Sequence, residues 1–250
     1  MSKESPYADR ASTYAKHRWP YPPEAVEFLV DRARITADSD VADVGAGTGA
    51  LTEHLVDRAR TVTAVEPDEA MRAHADRRLA VHPSYRGLPG TAEETELPPS
   101  SVDLVTVGQA LHWFSPADAL REFGRILRPN GRLAILWSTP APSSIGSETA
   151  RLLDRYGRLL RGRVPASVDE LLPLYFDPAL AEHSTFCWHV DEDWSRFIGG
   201  LSSSALAPSE KDPAYRPFCN DAREIFSRFS ESGTLRIEIE THVVVGPLLP

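Results

Sequence analysis

The sequence predicts an α/β protein: a doubly wound, mostly parallel sheet with helices on both faces and a helical cap inserted in its C-terminal half. Three observations point there. Short β-branched runs alternate with helical patterns over the first 140 residues, a glycine-rich turn joins the first strand to the next helix, and amphipathic helices dominate after Pro140.

Taken in order, VADV at 41–44 reads as a buried strand ending at glycines. Residues 48–59 read as a helix with Leu51, Leu55 and Val56 on one face and Ala59 a turn further on. TVTAVE at 61–66 is the next strand, and Asp68 is placed to cap a helix over about 69–80 with Glu69 in its first turn. SVDLVTVG at 101–108 is a third strand. Ser115-Pro116 then opens a helix whose buried stripe is Leu120, Phe123, Ile126 and Leu127, and Pro129-Asn130-Gly131 stops it. RLAILW at 132–137 is a further buried strand.

Past a linker-like PAPSS, residues 147–161 form an amphipathic pattern with Leu152, Leu153, Tyr156, Leu159 and Leu160 on the apolar side. Arg151, Arg155 and Arg158 fall on the other side and read as a solvated face. TFCWHV at 185–190 and LRIEIETHVVV at 235–245 are strands, with helices near 192–200 and 216–231 between them. Segments 143–181 and 191–232 are thus expected to be helical insertions roofing a substrate pocket at the carboxyl end of the sheet, where ligands bind in such folds.

Composition narrows the function classes. The 250 residues are 42% hydrophobic and 25% charged, as in globular proteins, and Asp+Glu 36 against Lys+Arg 27 gives a formal charge of −9. That balance disfavours a nucleic-acid partner, which calls for a basic face. Cys187 and Cys219 make no disulfide framework and indicate a reducing compartment, each expected as a small buried apolar residue. The opening MSKESPYADRASTYAKHRW lacks an apolar h-region, and no apolar run approaches the roughly 20 residues of a membrane span, so the expected location is the cytoplasm, with no membrane partner. His17, His189 and His242 share no metal-ligand spacing, and no metal site is expected.

The sharpest motif is Asp43-Val44-Gly45-Ala46-Gly47-Thr48-Gly49-Ala50, between a strand and a helix. Its glycines permit a tight turn and a close ligand approach to the helix start. Glycine spacing alone also satisfies a dinucleotide pattern. Asp43 beside the turn argues against a pyrophosphate and suits an ammonium group, and Glu66 ends the next strand where an acid accepts both ribose hydroxyls.

VADVGAGTG, AVEPDEAM at 64–71, GTAEETELPPSSVDLV at 90–105 and QALHWF at 109–114 together resemble the class I S-adenosylmethionine-dependent methyltransferases over roughly residues 7–137. YAKHRWPYP at 14–22 also resembles the opening of the small-molecule subfamily that includes trans-aconitate methyltransferases. The resemblance implies a Rossmann-like seven-stranded sheet, an N-terminal lid over 1–22, a cofactor-binding core over 23–142, and cap plus last two strands over 143–250, in a single domain.

It implies S-adenosylmethionine as cofactor and S-adenosylhomocysteine as product. Gly45 and Gly47 would lie against the methionine moiety, with Asp43 beside them, Glu66 on the ribose and Pro67 against the adenine. Thr91, Ala92 and Glu93 would read the adenine edge, Gln109 would lie near the methionine moiety, and Tyr14 and Arg18 would close over it. Many relatives have Asp where Thr91 stands, and Trp19 replaces the Pro expected after Arg18.

Methyl transfer of this kind is an in-line displacement. His112, after the third predicted strand, is the candidate general base. Trp113, Trp137, Tyr156, Trp188 and Trp194 are candidate aromatic walls for an acceptor, with Ser202, Ser203 and Ser204 as short hydroxyls. The expected function is N- or O-methylation of an apolar or aromatic natural product, in secondary metabolism, by a monomer or homodimer. Methylation of tRNA or protein, a non-catalytic cofactor-binding regulator and a nicotinamide oxidoreductase are the competing readings.

Overall fold

The computed structural model describes residues 15–157, 167–204 and 206–249. A seven-stranded sheet runs through it in the order β3-β2-β1-β4-β5-β7-β6. The strands are β1 (Asp40–Val44), β2 (Thr61–Val65), β3 (Tyr85–Leu88), β4 (Val102–Gly108), β5 (Leu127–Pro140), β6 (Glu182–Glu192) and β7 (Leu235–Pro247). Strand β1 pairs in parallel with β2 and β4, β2 with β3, and β4 with β5. The helices are α1 (Pro23–Ala33), α2 (Thr52–Leu55), α3 (Glu69–Leu79), α4 (Pro116–Ile126), α5 (Ser144–Tyr156), α6 (Val168–Leu171), α7 (Trp194–Ser203) and α8 (Tyr215–Phe229). This is the mostly parallel, Rossmann-like α/β fold the sequence predicts.

The chain divides into two compact units. One holds Pro20–Ser138, Pro165–Phe186 and Thr241–Pro250, and the other the described residues of Met1–Trp19, Thr139–Val164 and Cys187–Glu240. In the first unit the sheet is buried on both faces, which is why β1 is buried at every position and shows no alternation. Val105, Val107, Leu133 and Ile135 pack with Phe123 and Ile126 of α4 in one cluster. Leu104, Ala134 and Leu136 point the opposite way, into a cluster with Val26 and Leu29 of α1 and Leu55 of α2. The second unit has its own core, built on Ile145, Leu152, Phe197, Phe218, Phe226 and Ile237.

Several elements differ from expectation for identifiable reasons. The predicted helix over 48–59 is only α2, because Gly49 has φ +79, outside helical space, and the chain tightens after Leu55 with Arg58 N–H bonding Leu55 O. The turn at 129–131 does not interrupt the chain. Asn130 takes φ 67 and the register shifts there, so β5 starts at Leu127. Strand β3 escaped notice because YRGL carries no apolar run; it is an edge strand held to α3 by the Tyr85 hydroxyl on Asp76 at 2.8 Å.

On α4, Leu120 is only half-buried, while Ala119 and Glu122 are buried. The Glu122 carboxylate tolerates this by accepting the Thr95 amide (2.8 Å) and hydroxyl and pairing with Arg125. Burial alone would raise its pKa, but those partners hold it down at about 2. Cys187 is exposed and Cys219 half-buried, contrary to expectation, since period-2 alternation on β6 turns Phe186 and Trp188 inward and Cys187 out. The amphipathic pattern at 147–161 forms α5 up to Tyr156; Arg158, Leu159 and Leu160 lie outside the described residues.

The amino-terminal end of the parallel sheet is tied by one ion network. Asp40 accepts from Arg60, from the Thr61 hydroxyl at 2.7 Å and from Arg128 at 2.7 Å, while Arg128 also reaches Asp103 at 2.7 Å. Hydrogen bonds from Arg60 are the main reason the Asp40 carboxyl is held well below the usual range. A lowered folded-state pKa stabilises above the ordinary carboxyl range and is lost as pH falls through it. Asp40→Asn is therefore expected to cost about 1–2 kcal/mol at pH 7, the modest end for charged hydrogen bonds because both guanidiniums are partly in water. The deficit should shrink in strong acid, measured by urea unfolding across pH.

Candidate functional site at the carboxyl ends of the strands

The chain leaves β1 through a turn in which Gly45, Gly47 and Gly49 all have positive φ, at 70, 57 and 79°. The three serve different ends. A Cβ on Gly45 would stand 2.6 Å from Ala110 Cβ and 3.2 Å from the Phe114 ring, so this glycine lets the loop after β4 close up. A Cβ on Gly49 would meet Leu79 of α3 at 2.7 Å, so that glycine seats the turn on α3. A Cβ on Gly47 would meet nothing within 4 Å among the described residues, so open space lies on that side of the backbone. Arg78 reaches back from α3 and donates to the Gly49 carbonyl at 2.8 Å.

Glu66, the first residue after β2, holds this turn. Its Oε2 accepts the Gly47 N–H at 2.8 Å and its Oε1 the Asp68 N–H at 2.9 Å. Asp68 in turn caps α3 by accepting the Met71 N–H at 2.9 Å, as predicted. Glu66 is buried, and burial pushes its carboxyl above the usual range despite those two bonds. Each carboxylate oxygen carries two acceptor sites, so one on each remains to face a ligand. Paired hydroxyls beside the open Gly47 backbone fit that arrangement, and the residues present therefore suit a ribose.

Asp43 plays a different part from Glu66. It is 1% exposed, and its two oxygens accept the Thr52 hydroxyl (2.6 Å) and the Thr106 hydroxyl (2.9 Å), bridging β1 to α2 and β4. Burial raises its pKa to about 6.

Ala92 is buried, between exposed Thr91 and half-buried Glu93. The Thr91 amide donates to Glu94 O at 2.9 Å, and Glu93 accepts the Ser115 N–H at 2.8 Å, joining this segment to the start of α4. Pro67 is exposed beside Glu66. Gln109, directly after β4, has φ 61 and spends its side-chain amide on the Ser138 carbonyl at 3.2 Å. His112 sits in a 3₁₀ turn, Leu111–Trp113, with its ring 5.0 Å from that of Trp113, which is 39% exposed. Asp43, Gly45, Gly47, Glu66, Thr91, Ala92, Glu93, Gln109 and His112 thus all belong to the first unit.

Other predicted residues are placed elsewhere. Tyr14 lies outside the described residues. Arg18 is exposed in the second unit, and the unexpected Trp19 donates its indole N–H to the buried Glu192 at 2.9 Å. Tyr156, Trp188 and Trp194 pack in the aromatic cluster of that unit. The Tyr156 hydroxyl bonds Asp221 at 2.8 Å, and Arg223 stacks on Trp194 at 3.9 Å. Trp113 and Trp137 belong to the first unit.

The sequence reading missed four site residues: Tyr21, whose hydroxyl covers Gly108 so closely that a Cβ there would stand 2.7 Å away, and Thr52, Thr106 and Arg78. Tyr21 stood in the motif at 14–22 without a role of its own, and the two threonines carried a signal as polar residues at core positions of a helix and a strand. Among the described residues no group of three or more His, Cys, Asp or Glu is arranged to hold a metal ion, and no helix is long and apolar enough to cross a membrane.

Two expectations follow from the glycine turn and Asp43. Gly47→Ala should fold with a loss of about 1–2 kcal/mol, the left-handed penalty alone, yet lose binding of S-adenosylhomocysteine. Gly45→Ala should cost about 2–5 kcal/mol, because overpacking on Ala110 adds to the same penalty. Thermal melts and calorimetry separate the two. Asp43, with a raised folded-state pKa, favours folding fully below the ordinary carboxyl range, and that contribution is lost as pH rises from there through about 6. Asp43→Asn should therefore gain about 2–3 kcal/mol on its parent between pH 4 and pH 8, read by urea unfolding at both.

Comparisons with known proteins bear on the same segment. Residues 42–135 match the family described as methyltransferase domain. An uncharacterised methyltransferase of Mycobacterium tuberculosis is 41% identical over 160 residues, which span 63% of this chain and 63% of that protein. One from Schizosaccharomyces pombe is 34% identical over 126 residues, 50% of this chain and 49% of that one. The matched stretch thus spans less than two thirds of these relatives.

Among solved structures, one assigned as a type II methyltransferase from Anaeromyxobacter dehalogenans superposes with a TM-score of 0.67 at 23% identity, covering 93% of this chain and 99% of that one. Geranyl diphosphate C-methyltransferase of Streptomyces coelicolor, solved with Mg2+, geranyl diphosphate and S-adenosyl-L-homocysteine, gives 0.52 at 16% identity, covering 100% and 86%. Residues 42–135 therefore carry the methyltransferase-domain pattern, on the α/β fold that solved methyltransferases share.

Proposed function

We propose that this chain transfers a methyl group from S-adenosylmethionine to a small-molecule acceptor, at nitrogen or oxygen. The observation that carries the reading is the open backbone at Gly47 joined to the buried Glu66 carboxylate. The match to the methyltransferase domain and the S-adenosyl-L-homocysteine in a structural neighbour support the choice of cofactor. The sulfonium of that cofactor makes its methyl carbon electrophilic.

In this reading the chain's own residues bind, orient and exclude water. Glu66 takes the two ribose hydroxyls on its remaining acceptor sites. Gly45 and Gly47 present backbone to the methionine moiety. Ala92, with Thr91 and Glu93, reads the adenine edge, and Pro67 covers one adenine face. Asp43, neutralised with less difficulty than an ordinary aspartate, acts chiefly by holding Thr52 and Thr106 under the turn. His112, on the turn after β4, accepts a proton where the acceptor is a hydroxyl or a protonated amine.

A small acceptor is favoured over a nucleic acid by the formal charge of −9 and by the likeness of residues 14–22 to the small-molecule subfamily. An aromatic metabolite is favoured over a tricarboxylate because lysine stands only at positions 3, 16 and 211, so a polyanionic acceptor would depend on arginine alone. The test begins with the cofactor. Glu66→Ala should raise the dissociation constant of S-adenosylhomocysteine about 5- to 100-fold, roughly 1–3 kcal/mol for lost charged hydrogen bonds. Absence of binding by the parent protein, or tight NADH binding in its place, would end the reading.

A further inference from the structure

We infer that Arg72 is a positioning residue for the ribose of the cofactor: from α3 it holds the Glu66 main chain and keeps the Glu66 carboxylate ionised without occupying it. The inference rests on the methyl-transfer reading for the identity of the ligand, and on geometry within the first unit for everything else.

Arg72 stands one turn into α3 and is half-buried. Its Nη1 donates to the Glu66 carbonyl oxygen at 2.7 Å and lies 3.5 Å from the Pro67 carbonyl oxygen. Among the described residues it makes no ion pair. An arginine on a helix ordinarily finds an acid four residues away. Asp76 has that spacing but is turned to β3, where it accepts the Tyr85 hydroxyl at 2.8 Å and where a Cβ on Gly87 would overlap it. Further along the same helix Arg78 does pair, with Glu53 at 3.4 Å. Arg72 therefore carries a charge that no contacting carboxylate neutralises, bonded to the main chain of the residue that a ribose needs.

The surroundings of the Glu66 carboxylate set the role of that charge. Burial is the chief cause of its raised pKa; of the charges on α3, Asp68 adds to the rise and Arg72 opposes it. The glycine turn brings the Gly47 N–H, Asp43 of β1 is committed to Thr52 and Thr106, and Tyr85 of β3 is committed to Asp76. Because Arg72 bonds the main-chain oxygen, it attracts the carboxylate without taking an acceptor site on it. The N–H groups of Gly47 and Asp68 already fill one site on each carboxylate oxygen. A proton on Glu66 would take one of the sites left for a ribose hydroxyl, so the ionised form is the one that binds.

The experiment titrates S-adenosylhomocysteine calorimetrically into the full chain, as parent, Arg72→Met and Arg72→Lys, between pH 5.5 and pH 8. Asp43 titrates in the same range in all three, so the readout is the ratio of each variant to the parent. At pH 8, where Glu66 is ionised, Arg72→Met should bind about 3- to 10-fold more weakly through loss of the main-chain bond. At pH 5.5 the ratio should widen by roughly a further 3- to 10-fold, because its carboxyl takes up a proton earlier in the descent. Arg72→Lys keeps the charge and should show a ratio that is constant with pH. Urea unfolding without ligand gives a second readout. The deficit of Arg72→Met should grow as pH rises from 4 to 8, since only the ionised carboxylate is stabilised by the guanidinium. A ratio for Arg72→Met that is flat with pH overturns the inference, as does an Arg72→Lys ratio that widens equally or an unfolding deficit independent of pH. Failure of the parent to bind S-adenosylhomocysteine counts against the methyl-transfer reading, and the ligand-free unfolding series still decides whether Arg72 holds the charge on Glu66.

Discussion

The buried carboxylate of Glu66 is the point on which the candidate site depends. One oxygen holds the glycine turn through Gly47, and the other holds the start of α3 through Asp68. Burying a carboxylate is costly unless its oxygens are bonded, and two backbone N–H groups offset much of that cost. They also fix the separation between the turn after β1 and the helix after β2 before any ligand arrives. A ligand that bonds the remaining acceptor sites then meets a cradle already in shape, and little ordering entropy is lost on binding.

The two ends of the parallel sheet use acidic residues in opposite ways. At the amino-terminal end Asp40 faces two guanidiniums and a hydroxyl, which keep it ionised far into acid. At the carboxyl-terminal end Asp43 and Glu66 have only hydroxyl or backbone partners, and burial raises both. The difference follows from what each end does. Opposite charges at one end secure the four strands β1, β2, β4 and β5, while cations at the other end would compete for the acceptor sites a ligand needs.

Packing at the same end explains why a glycine-rich turn is required three times over. Gly45 yields room to Ala110 and Phe114, Gly49 yields room to Leu79, and Gly47 yields room to nothing among the described residues. The family resemblance assigns Gly45 and Gly47 alike to the ligand and gives Gly49 no part. Only neighbours far away in the chain distinguish the glycine that the fold needs from the one that a ligand needs.

What the sequence determined by itself was local. The buried run before the glycines, the Asp68 cap, the Pro at the first position of α4 and the positive-φ turn each depend on a few adjacent residues, so periodicity and backbone preference were enough to locate them. The acid ending the second strand was legible for the same reason. The tertiary structure alone decided which groups those acids bond, that Tyr21 closes over Gly108, that β3 exists, and that His183 and His242 meet on Trp137. Those contacts join residues 63 to 105 positions apart in the clearest cases, such as Thr106 with Asp43 and His242 with Trp137. No local pattern encodes them, because they arise only when strands distant in the chain are laid side by side.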